Sequence, residues 1–293
     1  MELVWLPDAT HRARRLAVGE FDGVHAGHRE VIRGADAVLT FEPHPRTVVA
    51  PAAAPKLLTT LEQKADLIAA LGVAELIVIP FDGARAAQTA EDFVRAELVE
   101  RLDARRVSVG ENFRFGNRAR GDAALLQAQD AFETRVVQLV ELEGEIVSSS
   151  HIRGLIATGD VATATRLLGA PFELRGTVVH GDKRGRTLGF PTANLVPDPA
   201  HAVPDHGIYA CRAVVPGLGE WTAAVSIGVR PTFVTGRGLL VEAYLLDFDG
   251  DLYGRELRLA FLERTRGERR FESVEALVAQ MHDDVRQIAE LVR

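Results

Sequence analysis

The segment GEFDGVHAGH, Gly19 to His28, follows the apolar run RLAV and carries glycines at 19, 23 and 27 with histidines at 25 and 28. A glycine-rich turn between a strand and a helix is where open α/β sheets bind phosphates, on backbone amides and the positive end of the helix dipole. The spacing matches neither the dinucleotide fingerprint nor the P-loop, which ends in Gly-Lys-Ser/Thr. Two imidazoles stand where a P-loop places its lysine. Gly27 between them lets backbone approach a ligand, and a helix starting near His28 adds its dipole. Imidazole N–H groups and amides around a polyphosphate suit displacement at phosphorus, where catalysis is mainly positioning and charge stabilisation. His-x-x-His is also half of a zinc site, but no cysteine or third histidine lies nearby in sequence to complete one.

Such a loop needs a sheet behind it, and the chain supplies one. RLAVG, AVLTF, AELIVIPF, RRVSVG and TRVVQLVEL read as strands, several apolar on both faces, alternating with helical patterns such as TTLEQKADLIAALG and TAEDFVRAELVERL. The first pattern shows a capping box, Thr59 with Glu62, and the second repeats it with Thr89 and Asp92. DAALLQAQDAF reads as a third helix, and SSHIRGLIATGDVATATRLLG as two short ones. This alternation implies a parallel sheet covered on both faces. Between His28 and FEPHP lie the 12 residues REVIRGADAVLT, which leave room for a helix of barely two turns.

After Ala170 the rhythm changes to LRGTVVHG, GIYACRAVV, TAAVSIG, LLVEAYLLDF and ELRLAFLE, strands without intervening helices that suggest an antiparallel barrel. FDGD reads as a hairpin turn. A terminal helix begins after Ser273, with an apolar stripe at 274, 277, 278, 281, 285 and 288 that should dock on the barrel. The domains expected are therefore 1–170 and 171–293.

The barrel half holds a second candidate site. GDKRGRTLGFPTANL, 181–195, joins Gly181 to Lys183, Arg184 and Arg186, then offers the oxygens of Thr192 and Asn194, hard ligands suited to Mg²⁺ and phosphate. In LVEAYLL, Val241, Ala243 and Leu245 share one face and Glu242 and Tyr244 the other. A carboxylate at the interior or mouth of a barrel needs a partner or a task, and phosphorylating an alcohol needs a base.

Length and composition set the frame. The chain has 293 residues, enough for two cores, with 47% hydrophobic and 26% charged residues. No apolar run is long enough to cross a bilayer, and MELVWLPDATHRARR lacks the charged-then-apolar order of a signal peptide. The single cysteine, Cys211, forms no internal disulfide, which fits a reducing, cytoplasmic setting. A net charge of −7 argues against nucleic-acid partners. The basic clusters RFGNRARG and GDKRGR, set in glycine-rich loops, point instead to small anions.

GEFDGVHAGH resembles the signature of the nucleotidylyltransferase superfamily, in the form carried by prokaryotic bifunctional riboflavin kinase/FAD synthetases. FEPHP at 41–45, VGENFRFG at 109–116 and SSSHIR at 148–153 follow in that family's order, with Ser150 where the family has Thr. Alone, SSSHIR reads equally as a capped helix start. The resemblance implies a Rossmann-like α/β adenylyltransferase domain followed by an antiparallel β-barrel riboflavin kinase domain with a terminal helix. It implies that His25, His28 and Arg153, with Gly19, Phe21, Asp22, Gly23, Gly27, Ser149 and Ser150, hold the ATP phosphates for the adenylyl step. Asn112 would belong to that site, and Pro43, His44 and Pro45 would line its flavin side. In the barrel, Gly181, Lys183, Arg186, Thr192 and Asn194 would take ATP, with Mg²⁺ on Thr192 and Asn194. Glu242 would be the base that activates the ribityl hydroxyl. SIGVRPTF (226–233) and RGERRF (266–271) match further family segments. The implied partners are riboflavin, FMN and ATP, with no membrane or nucleic acid. Two other readings compete, a kinase whose N-terminal domain only binds nucleotide, motivated by the short segment after His28, and a flavin sensor without turnover.

Overall fold

The computed structural model describes residues 1–181, 184–229 and 239–292, without the side chains of Arg184, Arg186 and Val229. Lys183, the side chain of Arg186 and positions 230–233 of SIGVRPTF therefore lie outside the described residues. The chain divides into two compact units, Met1–Ser149 and Ser150–Arg293.

In the first unit, strands β1 (Glu2–Trp5), β2 (Arg14–Val18), β3 (Ala37–Glu42), β4 (Glu75–Pro80), β5 (Ala104–Gly110) and β6 (Glu133–Val137) form one sheet in the order β1-β4-β3-β2-β5-β6. Every pairing in it is parallel. Leu16, Val18, Leu39 and Ile77 enter one apolar cluster, and Ala17, Val38, Leu76 and Val78 the other. Side chains alternate across a strand, so two clusters mean two covered faces, which is why these strands read as unbroken apolar runs. The chain leaves β2 toward β3 and β4, then returns to β5 on the other side of β2. The loops leaving the carboxyl ends of β2 and β5 thus diverge at a topological switch point, where open α/β sheets form their ligand crevice.

The helices of this unit are α1 (Ala26–Ile32), α2 (Pro45–Val49), α3 (Leu61–Ala69), α4 (Gly83–Ala87), α5 (Ala90–Phe93) and α6 (Ala123–Gln127). Thr89 caps α5 as its spacing predicts, and the helix continues with wider π-type turns over Val94–Arg101. Three expectations need correction. The short edge strand β1 is additional to the strands read from sequence. Helix α3 is capped by Thr60 with Gln63, not by Thr59 with Glu62, because the Thr59 hydroxyl is engaged elsewhere (below). Helix α1 starts at Ala26 rather than near His28, with His25 as its N-cap.

A small hairpin, β7 (Glu141–Leu142) and β8 (Glu145–Ile146), ends the first unit, and α7 (Ser149–Thr158) begins at its last residue. The second unit continues with α8 (Val161–Leu168), β9 (Phe172–Val179), α9 (Arg184–Thr187), β10 (Ala193–Leu195), β11 (Gly207–Val215), β12 (Gly219–Val229), β13 (Leu239–Leu245), β14 (Glu256–Arg266) and α10 (Val274–Leu291). Its strands close an antiparallel barrel in the order β10-β13-β12-β11-β14-β9. The core is Tyr209, Cys211, Val225, Ile227, Val241, Ala243, Leu257, Leu259 and Phe261. FDGD is not a hairpin between paired strands. Closure requires β14 between β9 and β11, so the chain crosses away from β13 instead of folding back on it.

Helix α8 packs on β9 and β14, and α10 on β11 and β12. Ser273 caps α10. Val274 is exposed and lies off the docking face, while Ile288 is buried. That face also holds a carboxylate the stripe did not reveal. Asp284 takes a two-pronged pair from Arg266 of β14, at 2.9 and 2.6 Å.

Candidate functional site

The loop between β2 and α1 is wound tightly. Phe21 (φ 50), Gly23 (φ 84) and Val24 (φ 42) all adopt left-handed backbone. For the two non-glycine residues such a conformation costs about 1–3 kcal/mol each and persists only where surroundings enforce it. Both are fully buried. The Asp22 carboxylate enforces the rest, accepting from the Leu58 amide (2.9 Å), the Thr59 amide (3.1 Å) and the Thr59 hydroxyl (3.2 Å). The same hydroxyl accepts from the Gly23 amide at 3.1 Å. Thr59 therefore braces this loop and is unavailable as the cap of α3.

Around that brace the two histidines come together. Their rings stack with centroids 3.5 Å apart and planes 17° from parallel. His25 Nδ1 accepts the His28 amide at 3.3 Å, which in the neutral ring leaves the proton on Nε2 as a donor. Phe21 holds His28 edge-on at 5.4 Å. The glycines make this possible by steric room. A Cβ on Gly27 would lie 3.2 Å from His25 Cε1, and one on Gly19 3.0 Å from the Phe21 ring.

Neighbouring loops reach the same place. Ser149 Oγ donates to the Asp22 carbonyl at 2.9 Å. Glu42 ends β3 and Pro43 and His44 follow it, and His44 Nε2 pairs with Glu20 at 2.7 Å, tying FEPHP to the motif loop. His44 is buried, and its Nδ1 accepts the Arg46 amide at 3.2 Å, directly after Pro45. Asn112 follows β5 on the other side of the switch point, at a tight turn closed by the Phe113 amide on the Gly110 carbonyl at 3.0 Å. Ser150 and Arg153 lie on α7, in the second unit. Two residues missed in the sequence stand out here, Glu20 and the buried Lys64. Lys64 left a trace, falling at the apolar face of α3 with Leu61, Ala65 and Ile68.

In the barrel, strand register does the positioning. Glu242 lies directly across from Asn194 on β10 and from Ser226 on β12. Val241, Ala243 and Leu245 fill the interior, so Glu242 is on the outward side of the barrel wall, half-buried. Asn194 faces the same way yet is buried, because the glycine loop lies on it. A Cβ on Gly181 would overlap the Asn194 amide, and one on Gly185 would overlap the Phe190 carbonyl and sit 3.4 Å from Thr192 Oγ1. The Phe190 amide donates to the Gly185 carbonyl at 2.8 Å. Phe190 also meets Tyr244 edge-on at 5.3 Å and His282 of α10 at 4.9 Å. Carboxylate, amide and hydroxyl oxygens thus share one outer patch beneath a glycine loop.

Two family models match the chain, FAD synthetase over residues 8–151 and riboflavin kinase over 168–292. The bifunctional riboflavin kinase/FMN adenylyltransferase of Escherichia coli (strain K12) is 39% identical over 284 residues, covering 92% of this chain and 90% of that protein. The chain belongs to this family. The Listeria monocytogenes member is 38% identical over 92% of this chain and 89% of its own length. Among solved structures, the crystal structure of macrolide-efflux protein from Streptococcus pneumoniae is similar with a TM-score of 0.88 and 30% identity, covering 98% of each chain. Efflux is said of that protein alone; among the described residues no helix here is long and apolar enough to cross a membrane.

Proposed function

We propose that this protein converts riboflavin to FMN in the barrel and FMN to FAD in the α/β unit, using ATP in both steps, in the cytoplasm. The observation that carries the reading is the stacked His25–His28 pair at the switch point, in a chain whose barrel holds a separate oxygen-rich patch. Against a kinase whose N-terminal domain only binds nucleotide stands the match of that domain to the FAD synthetase family. A sensor has no use for Glu242 set between Asn194 and Ser226.

In the adenylyl step, the FMN phosphate attacks the α-phosphorus of ATP and pyrophosphate leaves. His25 and His28 donate to the phosphates, with amides of the Gly19–Gly27 loop and Ser149 completing the anion cradle. The family resemblance assigns phosphate binding to Ser150 and Arg153 as well. Pro43, His44 and Pro45 line the flavin side, and Asn112 orients the reacting groups. Asp22 contributes by bracing, since its carboxylate oxygens already accept three donors. No base is required, because the attacking phosphate is anionic near neutral pH.

In the kinase step, Glu242 takes the proton of the ribityl hydroxyl as it attacks the γ-phosphorus, the bond to the β-phosphate oxygen breaks and ADP leaves. Gly181, Lys183 and Arg186 bind the ATP phosphates. The donor set fits Mg²⁺, a cation that prefers a few protein oxygens plus phosphates and waters. Thr192 Oγ1 and the Asn194 side-chain oxygen would hold it, and its charge would offset that of the transferred phosphoryl group.

We place the functional boundary near Ala170, with 1–170 the adenylyltransferase domain and 171–293 the kinase domain. Because α8 packs on β9 and β14, a kinase fragment beginning at Ser150 should melt several degrees above one beginning at 171, by calorimetry. Incubation with riboflavin, ATP and Mg²⁺, followed by chromatography, tests the whole reading. FAD supports both steps, FMN alone leaves only a kinase, and unchanged riboflavin leaves a binder.

A further inference from the structure

Lys64 is a buried cation beside the histidine loop that this chemistry leaves without a task. It belongs to α3 and is 6% exposed. Its Nζ donates to Thr40 Oγ1 at 3.3 Å, and that hydroxyl donates to the Glu20 carbonyl at 3.1 Å. Burial pulls its pKa below the usual lysine value, and the charges of Asp22, Glu42 and Glu20 pull it back up. Burying an ammonium is costly unless its charge has work to do. A brace between α3 and β3 needs only a hydroxyl or an amide.

The surroundings say what the charge is for. Glu20 and Asp22 belong to the histidine loop, and Glu42 ends β3 beside it. Three carboxylates therefore act on Lys64 by their charge, with His44 engaged on Glu20. That is an unfavourable field for a triphosphate and a flavin phosphate arriving together.

We propose that Lys64 is a positioning residue for the adenylyl step, an internal counter-charge that offsets Glu20, Asp22 and Glu42 so that the Gly19–His28 loop can accept a polyphosphate. The inference rests on the reading of that loop as the ATP site. Lys64 touches no phosphate itself. It acts through the potential of that loop, which makes ATP affinity the property it sets.

Full-length Lys64→Met, which keeps most of the volume, tests this in steady-state FMN adenylylation. The KM for ATP should rise about tenfold or more, the scale of one unit charge acting over several ångströms at an effective dielectric near 20. The kcat should fall much less. Adding Glu42→Gln to Lys64→Met should bring the KM back toward wild type, which repair of packing would not do. An unchanged KM in Lys64→Met, or no recovery in the folded double variant, overturns the proposal. Should Lys64→Met fail to fold, Glu42→Gln alone decides, since it should lower the KM for ATP; a KM equal to or above wild type refutes the idea. His28→Ala run alongside separates the two levels. If it too leaves adenylylation intact, the loop is not the ATP site, whereas a defect in His28→Ala with none in Lys64→Met removes only the role of Lys64.

Discussion

In the α/β unit the proposed reactive side chains hang on a strained loop, held by Asp22, Thr59 and ring stacking. In the barrel, Glu242 and Asn194 face each other on neighbouring strands, fixed by a ladder of backbone hydrogen bonds. A loop site is re-aimed by any change in its braces. A register site keeps its geometry until the barrel itself opens. Both nevertheless share one device, a glycine that clears room for a site side chain, Gly27 for His25 and Gly181 for Asn194.

The strongest way to break this comparison is to show that the sites are not separable. Glu242→Ala should lower riboflavin phosphorylation by about 10²–10⁴, the range for a general base, while leaving FAD formation from added FMN nearly intact. His28→Ala should do the reverse, lowering the adenylyl step by roughly 10² and accumulating FMN from riboflavin. Loss of both activities in a folded Glu242→Ala protein would sink the two-site reading.

Next in size is the hinge between register and helix. Asp284→Ala leaves the Arg266 guanidinium without its carboxylate in a nearly buried position, a loss on the order of 3 kcal/mol. The barrel should lose that stability and the α/β unit should not. Calorimetry would expose the error if both transitions moved together.

The shared glycine device predicts a smaller, graded effect. Gly181→Ala forces the buried Asn194 amide to move, and the kinase rate should fall about tenfold. Gly27→Ala asks only a few tenths of an ångström of His25, so the adenylyl rate should fall just a few-fold. Both figures are on the scale of about 1 kcal/mol for displaced positioned groups. A larger loss in Gly27→Ala than in Gly181→Ala would mean that the loop, not the barrel, is the less forgiving site.

What the sequence made legible follows the same division. The sheet, the barrel, α10 and the histidine loop were readable because apolar period and glycine spacing are local signals. Thr59 was misread because two adjacent threonines both fit a cap, and only the fold shows that Asp22 claims the first. The FDGD turn was misread because a hairpin and a crossover share turn chemistry, and pairing partners are set by barrel closure. Lys64 and the Glu20–His44 tie were invisible in function, since no spacing rule links residues 20, 44 and 64. That Asn194 and Glu242 share a patch could not be read either, because register across 48 positions is a tertiary fact.

The smallest effect sharpens the comparison by pH. In the α/β unit, burial pushes the Glu75 carboxyl up, but hydrogen bonds and charge from Arg14 and Arg12 outweigh it and hold its pKa below the usual value. A depressed carboxylate stabilises the fold above its unfolded pKa, and that contribution is lost as pH falls through the folded one. In the barrel, burial pushes Tyr209 up to about 12, with its hydroxyl donating to the Asp205 carbonyl. A raised phenol contributes below the unfolded value near 10, and its contribution is lost as pH climbs toward 12. Acid should therefore weaken the α/β unit through Glu75, and alkali the barrel through Tyr209. The chain carries two tryptophans, Trp5 in the first unit and Trp221 in the second. Trp221→Phe and Trp5→Phe proteins thus report one unit each by fluorescence. On going from pH 7 to 4, the Trp5 signal should lose a few degrees in melting temperature, and Glu75→Gln should remove part of that dependence. Between pH 9.5 and 11 the Trp221 signal should fall similarly, and Tyr209→Phe should flatten it. If the two variants leave both slopes unchanged, these groups do not set the pH limits of their units.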